Sequence, residues 1–202
     1  MRSLPDIFYN FHWIDPGRAA RSSQAYAGFL ALFLRRHRIR ALVNLRGPNP
    51  HWRWWRNEKK ITERVGVAHR DVMLSSKRLP TRKMLLALLD AFDQLPQPVL
   101  LKCSGGQDRT SFAAALYIVH TQGWSAFDAA QAHFARWPYL HLPKRHQRWL
   151  KLFLVFARGD ARGRPLRNWV AESYVPENYK AWLEERGEGA SFHGLYDPML
   201  GL

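Results

Sequence analysis

PVLLKCSGGQDRTSFAAALY, residues 98–117, is the stretch whose reading decides the fold. Val99, Leu100 and Leu101 are a short apolar run that reads as a buried strand. A turn follows, carrying Gly105 and Gly106, and beyond Arg109 the chain becomes an alanine-rich helix. Cys103 is the one cysteine of the protein, and Arg109 stands six positions after it. Strand, glycine-bearing turn and helix start together form a loop that wraps an oxyanion. The helix N-terminus offers unpaired N–H groups and a positive dipole end, which attract anions and favour a thiolate over a thiol. Glycines let the backbone turn inward where a side chain would clash. The planar fork of Arg109 can grip two oxygens at once. Thr110 can donate its hydroxyl hydrogen to the sulfur. The competing role for a lone cysteine is that of a small buried apolar filler.

Working outward, the stretch sits in an alternation of strand-like and helix-like segments. Asp15-Pro16-Gly17 marks a turn between two short strands. Residues 25–37 carry apolar side chains at helical spacing and end in cations, which suit a helix C-terminus. Ile39–Leu45 and 66–74 read as strands. A helix containing Glu58–Arg64 lies between them. Thr81 is placed to cap a helix over Arg82–Leu95, and Gly123 to stop the one that starts at Arg109. A later helix is expected over 144–157. The alternation predicts an α/β fold: a central, mostly parallel sheet of four or five strands flanked by helices, with a helical C-terminal extension. The expected division is a main domain over 1–157, then a basic linker at 158–167 within an extension over 158–202, of which 187–202 is expected to be poorly ordered.

Composition narrows the partners. The chain has 202 residues, with 31 basic against 16 acidic side chains and a net charge of +15. Such a charge favours anionic partners: phosphorylated substrates, anionic membrane surfaces or nucleic acid. A single cysteine permits no internal disulfide, which fits a reducing compartment. The first thirty residues lack the apolar core of a secretory signal. These features predict a cytoplasmic protein able to sit at the periphery of a membrane. The segment GPNPHWRWWRNEKK, residues 47–60, mixes tryptophan with arginine. Its rings either cover the core at a helix start or stack on a ligand, a base or a membrane interface. His141 and His146 read as surface histidines.

The Cys-x5-Arg-Thr run between a strand and a helix resembles the phosphate-binding loop of the cysteine-dependent protein tyrosine and dual-specificity phosphatases. Its Gln-Asp-Arg-Thr ending is most similar to the bacterial and lipid-directed branches. Gly17-Arg-Ala-Ala-Arg21-Ser-Ser-Gln24 is similar to the opening G-x-x-x-R-S-x-Q segment of bacterial members, and Asn44-Leu45-Arg46 to the end of the family's second strand. The resemblance implies phosphomonoester hydrolysis without metal or cofactor, through a phosphocysteine on Cys103. Arg109 would bind the phosphate together with Ser104, Gly105, Gly106, Gln107 and Asp108 of the loop. Thr110, Lys102 and Arg21 are further candidate substrate ligands, Arg21 being alternatively a solvated strand-end arginine. The substrate would be a phosphotyrosine protein or a phosphorylated lipid or sugar head group, with no nucleic acid expected.

Two departures from the family stand out. The loop that usually carries the acid aspartate matches Ser75–Arg78, which holds no acid. Asp71 and Asp108 are the remaining proton donors, and similarity to lipid-directed members favours Asp108, whose alternative role is pairing with a neighbouring cation. Lys102 replaces the usual histidine before the nucleophile. It either lowers the cysteine pKa by its charge or points away, since residues alternate along a strand. The missing loop acid leaves open a catalytically inactive phosphoanion-binding module, and the charge with the tryptophan-rich segment leaves open a nucleic-acid-binding protein.

Overall fold

The structure is a computed structural model, and it describes residues 3–197. Helix α1 (Leu4–Phe8) leads into the hairpin β1 (His12–Asp15) and β2 (Ala19–Ser22). Then come α2 (Ala27–Arg36), β3 (Ala41–Asn44), α3 (Arg53–Arg64), β4 (Ala68–Asp71), α4 (Arg82–Gln94), β5 (Val99–Lys102) and α5 (Asp108–Gln122). The remainder is helical: α6 (Phe127–Ala132), α7 (Trp149–Ala161), α8 (Leu166–Glu172) and α9 (Pro176–Glu185). The sheet has five strands in the order β1-β2-β5-β3-β4, parallel except for β1 on β2. The fold class expected from the sequence is the one observed.

Strand alternation divides the core into two. Ala19, Ala41, Val43, Val99 and Leu101 pack with α4, α5 and α7 on one face. Ala20, Leu42 and Leu100 pack with Phe11, Phe33 and Ile61 on the other. The period of two is the geometry of the pleat, and the strands are buried on both faces because crossover helices cover them. Parallel register aligns the strand ends in one row: Ser22 beside Lys102, Lys102 beside Asn44, and Asn44 beside Asp71. The residue after Lys102 is Cys103, so the candidate nucleophile emerges from the middle of the carboxyl edge, where ligands bind in open α/β sheets.

Several local expectations need correction. Residues 158–161 continue α7 and residues 166 and 167 already belong to α8, so the basic linker is a turn of four residues, 162–165. Arg162 there adopts a left-handed φ of 48°. The helix expected over 144–157 begins at Trp149, with a single 3-10 turn at Arg145–Gln147 before it. The region expected to be poorly ordered is structured up to Asp197: Phe192 is buried, and Leu195 bridges to Leu79 as a parallel neighbour. Residues 198–202 lie outside the described residues. Thr81 caps α4 as expected, accepting from the Met84 N–H at 3.3 Å.

The extension is not peripheral to the core. Trp169, Tyr174, Tyr179 and Leu183 are almost completely buried against Phe153, Phe156 and Trp149 of α7. The Tyr179 hydroxyl donates to the Trp149 carbonyl at 2.6 Å, and the Tyr174 hydroxyl to the Pro80 carbonyl at 2.7 Å.

Candidate active site

The loop from Cys103 to Asp108 joins β5 to α5, with Cys103 buried at its base. The Thr110 hydroxyl donates to Sγ at 3.0 Å. Burial alone would push the thiol up. The charge of Arg109, the Thr110 hydroxyl and the N–H groups of Gln107 and Gly106 outweigh it, and the net shift is downward, toward thiolate. Arg109 reaches back across the loop, donating from Nη2 to Ser104 Oγ at 3.3 Å.

The loop's shape is fixed from outside. Gly106 has φ +65°, and a Cβ there would lie 2.5 Å from the Ser23 nitrogen and 2.8 Å from the Ser22 carbonyl carbon. Both obstacles are backbone, so no side-chain movement relieves them. The Gly106 carbonyl is turned away from the thiol and accepts from Arg21 Nη2 at 2.8 Å and Asn10 Nδ2 at 3.0 Å. With that carbonyl held outward, the neighbouring N–H groups are free to face the sulfur. Gly105 is exposed and meets only the Gln107 side chain, at 3.8 Å or beyond.

Arg21 is therefore neither a solvated arginine nor a wall of the anion site. It is fully buried, and besides Gly106 it bonds Ser111 Oγ at 2.9 Å and the ring and carbonyl of His133 at 3.2 and 3.3 Å. His133 is held neutral by burial and by the adjacent arginine, its pKa lowered to about 3, so its ring nitrogen accepts.

Lys102 points to the opposite face of the sheet from Cys103, following the alternation of β5. Its Nζ lies 2.7 Å from Glu58 Oε1 and donates to Gln24 Oε1 at 2.8 Å. Burial lowers its pKa to about 8 even with Glu58 beside it. Gln24 bridges the cluster: its Nε2 donates to Glu58 Oε2 at 2.6 Å and its backbone N–H to the Ser104 carbonyl at 3.0 Å. His69 completes the cluster at 3.0 Å from Glu58. Lys102 thus braces the loop from below rather than contacting substrate.

The two aspartates part company. Asp71, at the end of β4, accepts from Asn44 Nδ2 at 2.7 Å and from the Trp55 indole N–H at 3.0 and 3.1 Å. These bonds tie α3 to the sheet edge. Asp108 opens α5 within the loop. Its Oδ2 accepts from Gln147 Nε2 at 3.0 Å, and its Oδ1 lies 3.4 Å from His141 Nε2. That contact is too poorly aligned for a hydrogen bond, and neither atom has one elsewhere among the described residues. His141 is buried, not at the surface as expected from its sequence context.

Trp54 and Trp55 fall in the first turn of α3 rather than in a loop. The Trp54 ring lies 3.8 Å from the Arg46 guanidinium and 4.8 Å from Lys102 Nζ. Arg46 is partly buried close enough to Arg109 and Cys103 for their charges to act on it; burial first, then Arg109, lower its pKa. A second cation therefore stands at the mouth. A cleft of about 290 Å³ opens beside it, walled by Tyr26, Trp54, Arg53 and Asn57 and floored by Gln24 and Glu58. Among the described residues, no group of three or more His, Cys, Asp or Glu side chains is placed to hold a metal ion.

Asn10, Glu58 and Gln147 escaped the sequence reading, in which His141 reads as a surface histidine. Gln24 and Arg46 did carry a signal, since each closes one of the family-like segments.

No sequence-family model matches the chain, and no curated protein matches it. Solved structures do. TpbA of P. aeruginosa superimposes with a TM-score of 0.59 at 22% identity, over 85% of this chain and 96% of its own. PTPMT1 in complex with PI(5)P gives 0.56 at 17% identity, over 74% and 98%. The core catalytic domain of the PP-IP phosphatase SIW14 from S. cerevisiae gives 0.51 at 17%, over 89% and 93%. All three are cysteine-based phosphatases. A strand delivering Cys103 to the carboxyl edge, a loop closed by Arg109 and a helix starting at Asp108 are thus found on a shared scaffold: the chain has the protein tyrosine/dual-specificity phosphatase fold.

Proposed function

We propose that the protein is a cysteine-dependent phosphomonoesterase. The observation that carries this is the convergence of the Thr110 hydroxyl, the Gly106 and Gln107 N–H groups and the Arg109 charge on a buried Cys103 at the start of α5. Those groups lower the thiol's pKa, and the same N–H groups and guanidinium form a cradle for a phosphoryl group.

In the first step the Cys103 thiolate attacks phosphorus, the bond to the ester oxygen breaks, and that oxygen takes a proton. Arg109 holds two non-bridging oxygens, and the loop N–H groups of Ser104 to Asp108 hold the remaining charge. Asp108 is the proton donor because it stands in the loop itself, at the start of α5, whereas Asp71 lies at the end of β4 and is occupied by Asn44 and Trp55. In the second step water attacks the phosphocysteine and gives its proton to the Asp108 carboxylate. The P–S bond breaks, with the Thr110 hydroxyl hydrogen-bonding to the departing sulfur.

The substrate class best supported is a phosphate on a head group that carries further negative charge, on a lipid or a sugar. Arg46 adds a second cation at the mouth, and the adjoining cleft offers Arg53, Asn57 and Tyr26 to the rest of the molecule. Two proteins of the same fold point the same way, one complexed with PI(5)P and one a PP-IP phosphatase. Phosphotyrosine is the competing substrate.

Wild type is expected to hydrolyse a generic aryl phosphate, and Cys103→Ser to lose that turnover completely. Asp108→Asn should slow esters with poor leaving groups about 10²- to 10⁴-fold and those with good ones far less. Asp71→Asn should show no such dependence. Tight phosphate binding without turnover of any phosphomonoester would replace the enzyme by an anion-binding module.

A further inference from the structure

The surface beside the active-site mouth holds an apolar patch that nothing in the hydrolysis uses. Leu4, Ile7 and Phe8 of α1 are 83%, 59% and 80% exposed, and Tyr26, Phe29 and Leu32 at or in α2 are 66%, 57% and 64% exposed. Between the two helices lies a groove of about 420 Å³ lined by Leu4, Pro5, Ile7, Phe8, Tyr9 and Phe29. Isolated exposed apolar residues are ordinary, but contiguous patches of this kind on a monomer mark an interaction surface.

Three features say what covers it. First, the patch adjoins the reaction site. The Ser23 N–H donates to the Tyr9 carbonyl at 2.7 Å, the next N–H, of Gln24, donates to the Ser104 carbonyl of the phosphate loop at 3.0 Å, and Tyr26 walls the cleft beside the mouth. Second, cations border it. α2 ends in Arg35 and Arg36, and Lys60 and Arg64 of α3 line the shallow depression that runs past Gly28. Third, the chain carries +15, so a second copy of the same surface would be repelled. Exposed Leu and Phe flanked on the α2–α3 side by Lys and Arg is the pattern of a surface that seats in the interface of an anionic bilayer, apolar tips among the acyl chains and cations on the head groups. Among the described residues no helix is long and apolar enough to cross a membrane, so the contact is with the surface.

We propose that α1 and α2 dock the protein on an anionic bilayer, with the mouth of the Cys103 loop held at the level of the lipid head groups. The docking surface itself is independent of catalysis; only what the mouth meets rests on the phosphatase reading.

The test is flotation with phosphatidylcholine vesicles, with and without phosphatidylglycerol, alongside sedimentation of the free protein. Wild type and Cys103→Ser are both expected to float with the anionic vesicles only, and to sediment as monomers. Leu4→Ser/Phe8→Ser should weaken flotation about tenfold, as should Lys60→Glu/Arg64→Glu. Both double variants should melt at the wild-type temperature, because the altered side chains are exposed. Retained turnover of a soluble aryl phosphate with no flotation of wild type would overturn the docking surface alone. Flotation indifferent to Leu4 and Phe8 would overturn it too, as would a wild-type dimer that Leu4→Ser/Phe8→Ser dissociates. Flotation by an inactive wild type would uphold docking and sink the enzyme.

Discussion

Sγ of Cys103 has two opposing influences on its proton. Burial favours the thiol, and Arg109, Thr110 and the loop N–H groups favour the thiolate more strongly. A free cysteine titrates near pH 8.5. The rate of Cys103 alkylation by iodoacetate should therefore inflect below that value, and bound phosphate should protect it. Arg109→Ala removes the largest of the favourable charges, so its inflection should move up. An unchanged inflection in Arg109→Ala would mean that the guanidinium acts on substrate only. At this scale the sequence was most informative. Cys103, Arg109, Thr110 and the two glycines lie within eight consecutive residues, so local pattern sufficed. Arg21 was named but misassigned, because its role depends on the Gly106 carbonyl, 85 residues away in the chain. Asn10 could not be found at all: its partner is 96 residues distant, and an asparagine after a short helix carries no mark of that.

Among elements, α3 is tied most intimately to the site without entering it. Trp54 covers Arg46 and Lys102, Trp55 holds Asp71, and Glu58 neutralises Lys102. A buried ion pair broken on one side leaves an uncompensated charge, at a cost of about 3–5 kcal/mol. Glu58→Gln should lower unfolding free energy by about that amount at neutral pH, read from urea titration. The pH dependence has a definite sign. Folding lowers the pKa of Lys102 to about 8, against about 10.4 for a free lysine, so between those values the unfolded chain binds more protons. Stability from this residue thus rises with pH through that window. Without Glu58 the folded pKa falls further, so the deficit of Glu58→Gln should shrink as pH rises towards about 8 and wild-type Lys102 also loses its proton. Equal deficits at pH 7 and pH 10 would show that Lys102 keeps its proton. Amphipathic spacing revealed helices such as α4 well, because hydrophobic burial sets their period. It could not reveal that Glu58, one of two glutamates in a basic helix, faces inward: the sequence shows a solvated charge and a buried one as the same letter.

On the scale of the whole molecule, the C-terminal helices share one core with the element that carries the Cys103 loop. Trp169 packs on Phe153 and Phe156 and donates from its indole to Asp160 at 2.7 Å. Trp169→Ala should cost about 3–5 kcal/mol in chemical unfolding, and the transition should remain single. A loss under about 1 kcal/mol, or a separate early transition, would mean that the extension is an appended unit. Its aromatic content was legible as a docking surface. The short turn at 162–165 was hidden by Arg and Gly residues that also suit a flexible linker.

The final described segment reaches back to the loop before α4. His193 donates its N–H to the Lys77 carbonyl at 2.7 Å, and Leu79 and Tyr196 exchange backbone bonds with Gly194 and Leu79 at 3.0 Å each. Lys77 lies within, and Leu79 just after, the acid-free loop Ser75–Arg78. These backbone bonds and the Leu79–Leu195 bridge hold that loop down from far along the chain. During synthesis Cys103 and Arg109 leave the ribosome some eighty residues before His193–Tyr196, so the bonds that fasten Lys77 and Leu79 form only after the Cys103 loop has emerged.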